Sequence, residues 1–100
     1  LYSLEKQDIT VYDYNTIAPL KSYALLTADS PVTLSTSTAV GNGNVAGQVL
    51  ILMGTSDTNT ITINDNANTI LGGNRTLGLN DTLMLIWNGS DWVEISYSNN

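Results

Sequence analysis

Apolar and polar residues alternate in short runs along most of the chain, with the period of two that a half-buried β-strand requires. Val32-Thr33-Leu34-Ser35-Thr36 shows it first without ambiguity. Asn59 to Asn64 sets Ile61 and Ile63 against Thr60 and Thr62. Thr69-Ile70-Leu71, Thr76 to Leu79 and Trp92 to Tyr97 read as further short strands. Two runs break the alternation by being apolar on both sides, Gln48 to Met53 and Thr82 to Trp87. An antiparallel sheet usually leaves one face wet. A strand that is apolar on both faces therefore needs cover twice, from a sandwich centre or from a subunit interface.

Turn residues separate these runs. Gly54-Thr55-Ser56-Asp57, Asn64-Asp65-Asn66, Gly72-Gly73-Asn74 and Asn80-Asp81 each stop a strand. Asn88-Gly89 is the strongest local signal. With Asn-Gly at its centre it makes a type I′ hairpin, and with Gly89-Ser90 a type II′ one. The two registers place Leu85 or Trp87 opposite Trp92. They differ by two residues, so both predict the same faces. One face carries Leu83, Leu85, Trp87, Trp92, Glu94 and Ser96. The other carries Met84, Ile86, Val93, Ile95 and Tyr97. From Thr60 onward short apolar segments recur at irregular intervals of six to nine residues. That spacing suits a winding fibre shaft or an ordinary meander with tight turns.

The chain divides unequally. Residues 1–31 hold both lysines, both prolines and four of the five tyrosines, while every glycine lies after residue 31. Leu1 to Lys6 reads as a helical turn or the end of a helix. Ile9 to Tyr12 reads as a short strand, and Tyr23 to Thr27 as a strand or one helical turn. The expected organisation is a connecting, shaft-proximal segment over 1–31 and an all-β domain over 32–100. The chain opens on Leu1 rather than Met, as a fragment or processed product does, so export cannot be read from its N-terminus.

Composition narrows the function classes. Nine acids against three bases give a net charge of −6, which argues against nucleic acid and anionic membranes as partners. With no Cys and no His, thiol catalysis, disulfides, His-based triads and most transition-metal sites drop out. The longest apolar run, Val49 to Met53, is too short to span a bilayer. Only 12% of residues are charged, and roughly a third are Asn, Thr or Ser. So few charges cover a monomer poorly and suggest that part of the surface is covered by something else.

Candidate chemistry is sparse. Asp91 and Glu94 are the closest acids of interest, and alternation puts them on opposite faces, where they cannot serve as a glycosidase pair. Asn64-Asp65-Asn66-Ala67-Asn68 looks like the start of a calcium loop, yet Thr69 and Arg75 stand where an EF-hand needs Gly and a bidentate Glu. Sequons at Asn74, Asn80 and Asn88 are what chance supplies in so Asn-rich a chain. Gly41 to Gly47 is a flexible connection, not a phosphate loop, because no Lys follows it. No enzyme, metal or cofactor is expected. The candidate ligand-binding residues are Trp87, Trp92 and Tyr97 with Asp91 and Asn88, because flat aromatics beside amides and carboxylates suit sugar rings. The competing role for the two tryptophans is to pack across the hairpin. Tyr12 and Tyr14 make a second candidate surface.

Gly47-Gln48-Val49-Leu50-Ile51-Leu52, Gly54 to Ile63, Leu77-Gly78, Asp81 to Trp87 and Gly89 to Ser96 together resemble the C-terminal tip or head modules of tailed-bacteriophage tail fibres and related virion fibre proteins. The resemblance covers about half the chain and leaves residues 1–30 outside. It implies an all-β module of short antiparallel strands and hairpins, as a small sandwich or an intertwined trimeric fibre head. It implies a homotrimer in the virion, at a fibre tip, that contacts a host cell-surface glycan or protein and other virion proteins. Two further readings stay open: a capsid or tail decoration or trimerisation module without a receptor, and a monomeric carbohydrate-binding module of a secreted protein.

Overall fold

The two strands that are apolar on both sides lie next to each other in the middle of the larger of two sheets. A computed structural model describes residues 1–100. It contains nine strands: β1 (Lys6–Thr10), β2 (Tyr23–Thr27), β3 (Val32–Leu34), β4 (Val49–Gly54), β5 (Ile61–Ile63), β6 (Thr69–Ile70), β7 (Arg75–Leu77), β8 (Thr82–Trp87) and β9 (Trp92–Ser98). Six form one sheet in the order β1-β2-β4-β8-β9-β6, and three form a second in the order β3-β5-β7. The fold is an all-β sandwich.

Between the sheets sits a core of 18 buried apolar residues. Leu50 pairs with Leu85 and Leu52 with Leu83, which sets the inward face of the large sheet. Val32, Leu34, Ile61, Ile63 and Leu77 face them from the small sheet. Gly54 ends β4 directly against the Leu77-Gly78 backbone. A Cβ there would lie 2.2 Å from the Gly78 carbonyl oxygen, so only glycine fits.

The outward faces of the two sheets differ. On the small sheet Thr33, Thr62 and Thr76 lie in register, and the hydroxyls of Thr62 and Thr76 are 2.8 Å apart. On the large sheet the outward row is apolar across five strands: Tyr23 and Leu25 of β2, Val49, Ile51 and Met53 of β4, Met84 and Ile86 of β8, Val93 of β9, and Ile70 of β6. These side chains are half-buried, except Ile70, which is exposed.

Three expectations need correction. First, residues 6–27 are not a separate connecting segment. β1 and β2 extend the large sheet, and Ala24 and Leu26 are fully buried in the common core. The turn at 28–31 only carries the chain from one sheet to the other. Residues 1–5 are not helical. Second, the pairing is mixed. β1-β2, β2-β4, β3-β5 and β6-β9 are parallel, and β4-β8, β5-β7 and β8-β9 antiparallel. Parallel pairs need long connections. Residues 11–22 supply the one between β1 and β2, the later ones run through Asn- and Gly-containing stretches, and the Ile17–Val40 bridge ties residues 11–22 to the stretch after β3. Third, of the two readings left open for the recurrence after Thr60, the winding shaft does not form. The strands there alternate between the sheets.

Candidate functional site

The hairpin from β8 to β9 was the first candidate. It adopts the register with Trp87 opposite Trp92 and Gly89-Ser90 at the turn centre. The Asn88 N–H donates to the Asp91 carbonyl at 3.0 Å. The Asn88 side-chain oxygen accepts from the N–H groups of Ser90 and Asp91 at 2.9 and 2.8 Å. Gly89 has φ of 106°, a conformation that side chains disfavour. Asn88 and Asp91 are thereby occupied with building the turn.

The tryptophans point inward. Trp87 is 4% exposed and Trp92 3%. Their rings are tilted by 59° with centroids 5.4 Å apart, a favourable aromatic pairing. Trp92 Nε1 donates to the Gly41 carbonyl at 2.8 Å. A Cβ on Gly43 would come within 2.5 Å of Trp87 Cγ, so this loop backbone lies directly on the indole. Neither ring offers a face for sugar stacking. Packing across the hairpin is their role.

Tyr97 also differs from expectation. A β-bulge interrupts β9 between the Leu85–Glu94 and Met84–Ser96 pairs, leaving Ile95 as the extra residue. Beyond it the faces exchange, and Tyr97 pairs with Leu83 on the inward side. There its ring covers the Arg75 guanidinium at 4.6 Å, and its hydroxyl donates to the Thr76 carbonyl at 2.8 Å. Arg75 in turn grips Glu94 through two bonds, Nε to Oε1 at 2.6 Å and Nη2 to Oε2 at 2.8 Å. The hydrogen bond from Arg75 is the main reason the Glu94 carboxyl sits below its ordinary value of 4.5. Gly72 borders the pair, and a Cβ there would meet Nη2 at 2.6 Å. This cluster fastens β7 and β9 together. Asp91 and Glu94 do not face each other as an acid pair.

Two features remain free. Tyr12 is 51% and Tyr14 77% exposed, on a turn rather than a strand. Tyr14 has φ of 64°, uncommon for a bulky residue, and Asp13 ties the turn to β3 through the Thr33 N–H at 2.9 Å. At the opposite end of β2 lies a groove of about 100 Å³. Pro19 to Ser22 form one wall and Asn42 to Asn44 with Gln48 the other, over Leu50 and Trp92. No pattern along the sequence pointed to it, because its walls come from separate segments, Pro19 to Ser22 and Asn42 to Gln48.

The family model of the phage depolymerase C-terminal beta sandwich domain matches residues 15–93. The chain belongs to that family. This domain is a phage tail-fibre or spike module, a virion-associated structural protein, and its sandwich architecture is the one observed here. The match begins at residue 15, inside the stretch expected to lie outside the domain, and takes in β2 through the start of β9. No curated protein matches the chain.

Proposed function

We propose that this domain is a non-catalytic attachment module at a fibre or spike tip, working as a homotrimer that contacts the host cell surface. The observation that carries the reading is the apolar outward row of the large sheet, which stays only half-buried in the single chain. Met84, Ile86 and Ile51 occupy its centre, without a charge among them, while the opposite sheet presents threonines. Contiguous apolar patches of this kind mark contact surfaces. Of the two carboxylates within strands of that sheet, Glu94 faces inward and Asp8 stands at the edge of the outward face, beside Lys6 at 3.5 Å. Three copies with a charge of −6 each meet there with little repulsion.

Trimeric display on a rigid fibre multiplies weak contacts, so no single tight site is needed. With both tryptophans buried, the exposed aromatic side chains left for such contact are Tyr2, Tyr12 and Tyr14. Catalysis belongs elsewhere in this reading, because both oxygens of Glu94 are held by Arg75 and Asp91 is built into the turn.

Light scattering with an unheated SDS gel tests the assembly. The expected mass is three times 10.7 kDa. A clean monomer overturns the trimer and favours a self-contained sugar-binding sandwich. Binding of the labelled trimer to host bacteria then tests attachment. A trimer that ignores cells is a clamp or decoration module instead.

A further inference from the structure

The groove at the Trp92 end of the sandwich has features of a built recognition site. Each of its two walls is pinned by a glutamine. Gln7 Oε1 accepts from the N–H groups of Leu20 and Lys21, at 2.8 and 3.2 Å, and its Nε2 donates to the Ala18 carbonyl at 3.3 Å. Gln48 Oε1 accepts from the N–H groups of Asn44 and Val45. Asn42 Oδ1 accepts from Asn68 Nδ2 at 3.1 Å. Each of these amide oxygens is used, while the amide nitrogens of Asn42 and Gln48 have no partner in the protein. The rim is therefore rich in free donors. Among the eleven lining residues the one ionisable side chain is Lys21. It pairs with Glu5, but both are exposed, and a surface pair of this kind contributes little and exchanges readily. Leu20, 84% exposed, adds an apolar lip.

We propose that this groove binds a single carboxylate-bearing sugar residue. Lys21 takes the carboxylate in place of Glu5. The amide nitrogens of Asn42 and Gln48 donate to ring hydroxyls, and Leu20 covers a C–H face. A volume of about 100 Å³ suits one ring at its edge, hence a terminal or branching residue of a glycan. Pre-set walls limit the ordering cost on binding. The inference rests on the attachment reading and names the ligand class for it.

The test is an amide NMR titration of the whole chain in its own oligomeric state, with sodium glucuronate and, separately, methyl glucoside. Glucuronate is expected to shift Lys21, Asn42, Asn44, Gln48 and the Trp92 indole N–H, less so as salt rises. Lys21→Met is expected to weaken the response about ten-fold, the size of a lost charge-assisted hydrogen bond. Gln48→Glu keeps the oxygens that pin the wall but sets a carboxylate in the groove, and is expected to abolish binding in a protein of unchanged fold. Equal shifts with methyl glucoside overturn the carboxylate assignment. No groove shift with either sugar overturns the site. Mass and cell binding are measured on the same sample, so a trimer that adsorbs to cells yet ignores glucuronate sinks this inference alone.

Discussion

Tyr97 stands opposite Leu83, on the inward side of the large sheet, because Ile95 is squeezed out of the ladder as a bulge. That one extra residue carries the tyrosine onto Arg75 and its hydroxyl onto the Thr76 carbonyl. Tyr97→Phe keeps the ring over the guanidinium and loses the hydroxyl bond. It is expected to cost about 1 kcal/mol in urea unfolding. Tyr97→Ala loses both and is expected to cost more, about 2–4 kcal/mol. Ile95→Thr, at the exposed bulge, is expected to change stability by less than about 0.5 kcal/mol. If Ile95→Thr proves the most harmful of the three, the bulge register is wrong.

The hairpin tryptophans act on stability. Trp87→Ala is expected to cost about 3–5 kcal/mol, as for other large buried rings. Trp92→Phe keeps most of the buried area but leaves the Gly41 carbonyl without its 2.8 Å donor, at about 1–2 kcal/mol. Gly43→Ala forces a methyl into the Trp87 ring and is expected to destabilise by about 1–3 kcal/mol. Thermal melts followed by tryptophan fluorescence check all three.

Much of the fold was legible because local alternation survives in it. The strands read from Val32, Gln48, Asn59, Thr69, Thr76, Thr82 and Trp92 all form, within a residue or two at most of their ends; Tyr23–Thr27, open between strand and helical turn, is a strand, and the strand expected over Ile9–Tyr12 runs instead over Lys6–Thr10. The pairing partners were not legible. Nothing around Tyr23 or Val32 states that its neighbour is parallel and nearly thirty residues away. The phase of β9 was hidden too, because the alternation runs through Ile95 without a Gly or Pro to mark a bulge. At the candidate site, residue type suggested aromatic stacking, but burial decides the role of a Trp, and burial depends on the Gly41–Gly43 backbone folding over the pair. The groove and the Arg75–Glu94 clamp arise from tertiary proximity alone.

The apolar row makes a sharp prediction about assembly. Ile86 sits between Val49 and Val93 on the outward face. Ile86→Asp puts a charge at the centre of the proposed contact while leaving the core untouched. It is expected to convert the trimer to a folded monomer, measured by light scattering and circular dichroism. Thr33→Lys, on the exposed threonine side, is expected to leave the mass unchanged. A trimer that survives Ile86→Asp must use another face.

The Arg75–Glu94 pair gives the domain one acid-sensitive contact whose sign is determined. Its carboxyl is held below the ordinary 4.5 chiefly by the hydrogen bond from Arg75. A carboxyl depressed in the folded state stabilises the fold at pH values above its unfolded pKa. That contribution fades as pH falls through the folded value. The two side chains keep 25% and 15% of their surface exposed, so solvent partly screens the pair and a modest contribution is expected at neutral pH. Glu94→Gln removes the charge but keeps the shape. The stability gap between the parent chain and Glu94→Gln is expected to be widest at neutral pH and to narrow as pH falls below 4.5 toward the depressed folded value. Urea midpoints across that range measure it. A gap that stays constant down to low pH would show that Glu94 contributes through packing alone.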